Sequence, residues 1–424
     1  MEGLLLNLIP MLSIPSLKFI GLPKIQRIST PKIWVQFIWF GLSLAAAIKE
    51  VFIHDINNYK IFKFTFINLI HSHSLYQVQP EFYFDSNHYG PLFAFLIAPF
   101  TYLPDSIGCI LWVFLNAFIL YKAIELMPLE ENQKIGILLI SAHELMTASF
   151  SVQFNPIMTA IILFTFILVY NREEFWAAFF IALGTYIKLY GIVGLAFFVF
   201  AKDKRKFIYG LGFWFFSLFF MPVLLSSYSF LLHTYREWAN ILVFKNQQNI
   251  QNGMQDISVM GMVRRLSGNY SISNFTIILP FLLIFGAALF LKKNKNTHSF
   301  KLDTLASVLM FTVLFSTGSE SPTYIIAFIG LGIWFVNKPN KIQPWTIFLL
   351  VFALILSSFS PSDLFPQSIN ENYVRRYSLK AFPIFLIWMD LVLPYFPLKK
   401  WTTGLFWKHE NYEVNSQELF WKQL

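Results

Sequence analysis

Apolar and polar positions alternate along this chain in blocks, not residue by residue. Apolar runs of about 14–22 residues are divided by short basic or Asn/Ser/Pro-rich breaks. They cover roughly 33–53, 90–103, 106–125, 135–150, 155–171, 174–187, 189–201, 207–225, 274–292, 304–316, 323–336, 343–358 and 380–396. Runs of this length without period-2 alternation predict helices for a hydrocarbon core of ~30 Å, not the strands of a membrane barrel. The expected fold is an all-α polytopic membrane protein of about 12 transmembrane helices, within a range of about 10–13. Three runs between 90 and 153 must supply two crossings, so the short run 90–103 is expected to be a re-entrant or interfacial helix. Residues 1–32 are apolar but broken by prolines and lack a leading basic cluster, which suits an interfacial segment. Residues 33–398 read as one transmembrane domain, and 399–424 as an amphipathic cytoplasmic tail.

Composition agrees with the pattern. Apolar residues make up 56% of the 424 and charged residues only 13%, too few to cover a soluble globule. The lone cysteine, Cys109, lies in an apolar run, which excludes an intrachain disulfide and a thiolate metal cluster. A formal charge of +9 does not indicate nucleic-acid binding, because the basic residues cluster between apolar runs. There they report sidedness. The clusters are Lys18/Lys24/Arg27/Lys32, "KDKRK" at 202–206, "KKNK" at 292–295 with Lys301, Lys338/Lys341 and Lys399/Lys400. With all of these in the cytoplasm, 54–89, 226–273, 317–322 and 359–379 face outward, and both termini lie inside.

The unusual polar residues then share the outward face. They fall in "IKEVFIHDINNY" (48–59), "YFDSNHYGP" (83–91), "QFNP" (153–156), "TYIKLYG" (185–191), "NQQNIQNGMQDISVMGMVRRLSG" (246–268), "STGSESPTY" (316–324) and "RRYSLKAFP" (375–383). Such a gathering from distant positions suggests a shared cavity. Each has an ordinary reading beside it. Asp55 can simply be solvated where the first span ends, Lys188 can snorkel to the interface, and paired arginines can meet headgroups. His143 and Glu144 do not open an HExxH zinc motif, since position 147 is threonine. The outward loops offer no set of metal ligands.

Together these stretches resemble glycosyltransferase family 87, a group of polyprenyl-phosphate-dependent, C-type membrane glycosyltransferases. The matching order is "DINNYKIF", then "SLYQVQPEFYFDSNHYGPLFAFLIAPFTYLP", then "VQFNP" running into "TYIKLYG", then "QDISVMGMVRRLSG" and "SESPTY". Departures are Gly191 after "KLY" where proline is usual, Val152 before Gln153, and a loosened "QDIS". The resemblance implies a C-type architecture with a long first outward loop. It also implies transfer of one hexose or pentose, mannose-like by preference, from a polyprenyl-phosphate donor to a lipid-linked or envelope glycan, with inversion.

It further implies site roles. Asp55 is the general base; Asp85 and Glu320 are reserve carboxylates. Lys188, Arg264, Arg265, Arg376 and Lys380 are candidates for the donor phosphate, Lys188 and Arg264 foremost. Asn58, Tyr59, His88, Tyr89, Gln153, Asn155, Tyr190, Ser258 and Glu320 are candidates for sugar or acceptor contacts. No metal and no resident cofactor is expected. The partners are membrane lipid, the lipid-linked sugar and a glycan acceptor, in a bacterial inner membrane with the site facing outward. The competing readings are a flippase for a lipid-linked saccharide, a polymerase or ligase of envelope glycan, and a non-catalytic assembly subunit.

Overall fold

The structure, a computed structural model, describes residues 30–251, 254–291, 295–338 and 342–395. Of the interfacial segment expected over 1–32, residues 1–29 lie outside that range and 30–32 already open the first helix; the tail expected over 399–424 and the basic residues at 18, 24, 27, 292, 293, 341, 399 and 400 also lie outside it. Among the described residues the regular structure is helical throughout. The helices are α1 (Thr30–Phe52), α2 (Asn57–Ile70), α3 (Phe93–Thr101), α4 (Asp105–Glu125), α5 (Glu131–Phe150), α6 (Asn155–Tyr170) and α7 (Glu174–Lys188). A 3₁₀ segment, Tyr190–Phe200, leads to α8 (Lys204–Phe220), α9 (Tyr228–Gln251), α10 (Val259–Ser267) and α11 (Asn274–Leu291). The chain ends with α12 (His298–Leu314), α13 (Tyr324–Val336), α14 (Pro344–Ala353, continued as a π turn over Leu354–Phe359) and α15 (Ala381–Val392).

Among the described residues four helices are long and apolar enough to cross a membrane: Thr30–Phe52, Asp105–Glu125, Lys204–Leu224 and Asn274–Leu291. The protein is a membrane protein. Shorter apolar helices fill the bundle between them. The run 189–201 is short for a span, and it forms a 3₁₀ segment, whose rise of ~2.0 Å per residue exceeds the ~1.5 Å of an α-helix. That segment packs on α6 and α7 so closely that a Cβ on Gly191 would meet the backbone nitrogen of Thr185 at 2.4 Å. Gly191 thus stands at a packing contact between the two segments, where a side chain would meet backbone.

The two polar stretches are more ordered than their composition suggests. In α2, Tyr59, Phe62, Phe66 and Leu69 recur at helical spacing and are buried, so an amphipathic helix forms within 54–89. The short run 90–103 yields only the nine residues of α3, about 14 Å of helix, which docks on α2. The Tyr59 hydroxyl donates to the Phe100 carbonyl (2.9 Å), and Lys63 pairs with Asp105 (2.7 Å). Within 226–273, α9 runs unbroken for 24 residues.

Interhelical polar contacts sort into two ends of the bundle. At one, Lys32 pairs with Glu125 (2.7 Å) and Glu131 (2.6 Å), Lys206 approaches Glu173 (3.8 Å), and Lys338 pairs with Asp390 (2.8 Å). Helix starts are capped there by Glu130 with Gln133, by Asp203 and by Thr297. At the other end lie the 150–155, 188–190, 246–258 and 315–323 connections, joined by bonds described next. One continuous apolar core fills the space between.

Candidate active site

That second end encloses a cavity of about 1080 Å³. Its ceiling and walls come from chain turns, which the helices hold in fixed positions. Leu189, left-handed at φ 56°, ends α7 and turns the chain into the 3₁₀ segment. Lys188 and Tyr190 on either side of that turn both line the cavity. Lys188 Nζ donates to Asn155 Oδ1 (2.6 Å), and Asn155 Nδ2 donates to the Pro322 carbonyl (3.0 Å). The ammonium group also lies over the rings of Tyr89 (5.4 Å) and Tyr190 (5.2 Å). A lysine with amide and π-face partners, and no carboxylate in contact among the described residues, keeps its charge available for an anion.

Phenol, amide, hydroxyl and carboxyl groups surround it. The Tyr89 hydroxyl donates to Gln153 Oε1 (3.2 Å), Tyr190 exchanges a bond with Ser316 (2.9 Å), and Gln255 Nε2 donates to Glu320 (3.0 Å). Asp85, exposed and left-handed at φ 74°, faces Lys245 (3.4 Å). Burial raises the Glu320 carboxyl above its ordinary range, against the opposing fields of Lys188 and Lys245. His88 is held down to about 4, first by burial and then by Lys245, with Asp85 opposing and Lys188 adding to the lowering. His88 is therefore a neutral ring near pH 7.

Of the residues singled out from sequence, Asn58, Asp85, His88, Tyr89, Gln153, Lys188, Tyr190, Glu320 and Lys380 line this one cavity. Asn58 donates to the Ser151 carbonyl (2.7 Å), which ties α2 to the turn before Gln153.

The others stand elsewhere, each for a physical reason. Asp55 is exposed and outside the lining; its backbone N–H donates to the Glu50 carbonyl (2.9 Å). Lys49 and Asn58, on either side of it in the chain, do line the cavity. Tyr59 is committed to Phe100, and Asn155 supports Lys188 from behind. Ser258 caps α10 and donates to Asp256 (2.6 Å). Arg264, placed from sequence among the phosphate ligands, is fully buried: it pairs with Asp256 (2.7 Å), donates to the Ile272 carbonyl (3.0 Å) and meets Asn274. Both side chains are buried and outside the cavity lining, so this pair braces a loop; burial raises the Asp256 carboxyl despite Ser258 and Arg264. Arg265 bonds the Gln255 (2.6 Å) and Arg375 (3.1 Å) carbonyls and Ser378. Arg376 is exposed over Tyr377 (5.5 Å).

The cavity also holds residues that sequence reasoning passed over, notably Lys245, Arg375 and His143. Arg375 lines it where Arg376 had been expected. His143 is legible in the sequence as a titratable residue inside an apolar helix, a functional signal in its own right.

The family model of glycosyltransferase family 87 matches residues 87–317, just over half of the chain. The match takes in His88, Tyr89, Gln153, Lys188 and Tyr190 and stops short of Glu320. No curated protein and no solved structure matches.

Proposed function

The chain belongs to glycosyltransferase family 87, and from that premise we propose that it moves one hexose or pentose, mannose-like by preference, from a polyprenyl phosphate to a lipid-linked or envelope glycan. One observation carries the reading: a single membrane-end cavity joins Lys188 to carboxyl, amide and phenol groups suited to a sugar.

The chemistry follows from the groups present. An acceptor hydroxyl attacks the sugar's anomeric carbon from the face opposite the phosphate, which inverts that centre. The bond from that carbon to the phosphate oxygen breaks, and the electron pair leaves with polyprenyl phosphate. Negative charge grows on the leaving group, where Lys188 and Lys245 stabilise it. The hydroxyl proton passes to Asp55, the general base in this reading, as the acceptor approaches from the side of the first loop. Glu320, Gln153 and Tyr190 orient sugar hydroxyls, and Tyr89 supplies a ring face. The donor brings its own activated bond, so the reading calls for no resident cofactor. We place the cavity on the outer face of a bacterial inner membrane, with twelve crossings: α1, α4 to α7, the 3₁₀ segment, α8 and α11 to α15.

The test supplies membranes with labelled polyprenyl-phosphate mannose, glucose and arabinose in turn, comparing wild type with Asp55→Asn and Glu320→Gln. Wild type transfers one sugar. Asp55→Asn lowers turnover by about 10²-fold or more, the scale of a lost general base, while Glu320→Gln acts mainly on the donor KM. Loss of turnover in Glu320→Gln alone moves the base into the cavity. No transfer from any donor by wild type overturns the transferase reading in favour of a flippase.

A further inference from the structure

The cavity has a second polar end, which the transfer scheme above does not use. α5 carries His143 about two turns in from its end at Phe150, where the side chain lines the cavity. His143 Nδ1 shares a bond with Ser358 Oγ (2.9 Å), while its Nε2 is buried without a hydrogen-bond partner. Ser360, 1% exposed and also lining the cavity, has a buried hydroxyl without a partner. Buried polar atoms of this kind are rare unless something else completes them.

Lys380, 2% exposed, reaches the same end from the start of α15. Its contacts are all long: Glu144 at 3.4 and 3.5 Å, the Ser321 carbonyl at 3.4 Å and the Tyr324 ring at 4.6 Å. A well-made ammonium–carboxylate bond is about 2.7–2.9 Å, so Glu144 offsets the charge without occupying the donors. Arg375, exposed on the lining, adds a guanidinium with no ion-pair partner among the described residues. The acidic groups nearby are Glu144, behind Lys380, and Asp363, exposed on the lining. Donors therefore outnumber acceptors here. At the Lys188 end, by contrast, amides, phenols and carboxylates are interleaved.

The two ends meet at one turn. Asn155, which holds Lys188, donates to the Pro322 carbonyl, while Lys380 reaches the carbonyl of Ser321, one residue earlier. The backbone around Lys380 is irregular on both approaches. π turns cover Leu354–Phe359 and Asn370–Arg375, a rare geometry that is frequent at functional sites.

We propose that Lys380, Arg375, His143 and Ser360 form a second anion subsite, which holds the phosphate of a lipid-phosphate acceptor while Lys188 and Lys245 hold that of the donor. This rests on the transferase reading, and it narrows the acceptor from any glycan to one carried on a phosphate-bearing lipid.

Binding stoichiometry tests it apart from catalysis. Purified full-length protein in a phosphate-free detergent is titrated with radiolabelled farnesyl phosphate. Wild type binds two equivalents. Lys188→Met keeps one, and Arg375→Ala with Ser360→Ala keeps the other. Lys380→Met alone would leave Glu144 buried and unpaired, so it is made together with Glu144→Gln and is likewise expected to bind one equivalent. A single equivalent in wild type overturns the proposal, as does retention of two equivalents in both second-end variants. A transfer assay then compares an acceptor sugar on polyprenyl diphosphate with the same sugar on a neutral alkyl chain. Wild type favours the phosphate-bearing acceptor by about 10-fold or more in kcat/KM, the scale of one charge-assisted contact. Arg375→Ala erases that preference without changing the donor KM. Equal use of both acceptors by wild type overturns the acceptor assignment. No transfer at all from a protein that binds two equivalents overturns the transferase reading and leaves two lipid-phosphate sites standing.

Discussion

Lys188 shows how much a single side chain can be committed by its surroundings. Its ammonium is held by Asn155 at 2.6 Å and bracketed by two tyrosine rings, so its position is fixed before any ligand arrives. Removing the charge in Lys188→Met should lower kcat/KM for the lipid-linked sugar by about 10²–10³-fold, as loss of one preorganised charge contact does. Lys188→Arg should not restore it, because a planar fork does not fit a pocket shaped for a compact ammonium. Unchanged kinetics in Lys188→Met would remove it from the phosphate site. His88 offers a pH test whose sign is set. Its folded pKa of about 4 lies below the ordinary histidine value of 6.5, so an opened chain takes up the proton first. Stability that His88 leaves intact above pH 6.5 is then lost as pH falls towards 4, on the order of 3 kcal/mol. Melting curves at pH 7 and 4.5 should show a smaller acid-induced drop in His88→Gln than in wild type.

At the scale of elements, the sharpest constraint is the packing of the 3₁₀ segment against α7. A Cβ at Gly191 would lie 2.6 Å from the Ile181 carbonyl oxygen as well as against Thr185, and neither is a side chain that can turn away. Gly191→Ala should therefore cost at least the ~1–3 kcal/mol typical of overpacking, read as a lowered melting temperature with a normal donor KM in the folded fraction. Wild-type stability would mean that the two segments separate more easily than their packing implies. This contact also marks where sequence reading stops. The "TYIKLYG" stretch placed Lys188 and Tyr190 at a turn from pattern alone, since a charge between two apolar runs has few other places to go. That a side chain at Gly191 would meet backbone depends on two segments meeting, which no local pattern records. The same holds for Arg264 and Arg265. Adjacent arginines in a polar loop look alike in sequence, yet here one is buried against Asp256 and the other is bound to backbone carbonyls. α2 and α9 were hidden differently: enough polar residues sit on their outer faces to mask the apolar spacing beneath.

Over the whole molecule, polar and charged groups gather at two opposite ends, and only one of them holds the cavity. The ion pairs of Lys32, Lys206 and Lys338 cluster at one end, and Asp85, Lys245, Glu320 and Lys380 surround the cavity at the other. Apolar helices between them leave little reason for this separation other than a membrane. Basic clusters are retained on the cytoplasmic side, so the cavity should open outward, as the proposed lipid-phosphate donor requires. Cys109 is the single cysteine and is buried, which makes the sidedness measurable with little background. In a Cys109→Ala protein, Glu81→Cys and Gln247→Cys place thiols at exposed positions near the cavity, while Asn171→Cys and Arg205→Cys place them at the basic end. A membrane-impermeant maleimide added to intact cells should label the first two alone, and the second two only after the membrane is breached. The reverse pattern would put the cavity in the cytoplasm, where the donor would be a soluble sugar nucleotide and not a lipid phosphate. Labelling of all four without breaching would deny that the two ends lie on opposite sides of a bilayer, and with it the twelve-crossing weave.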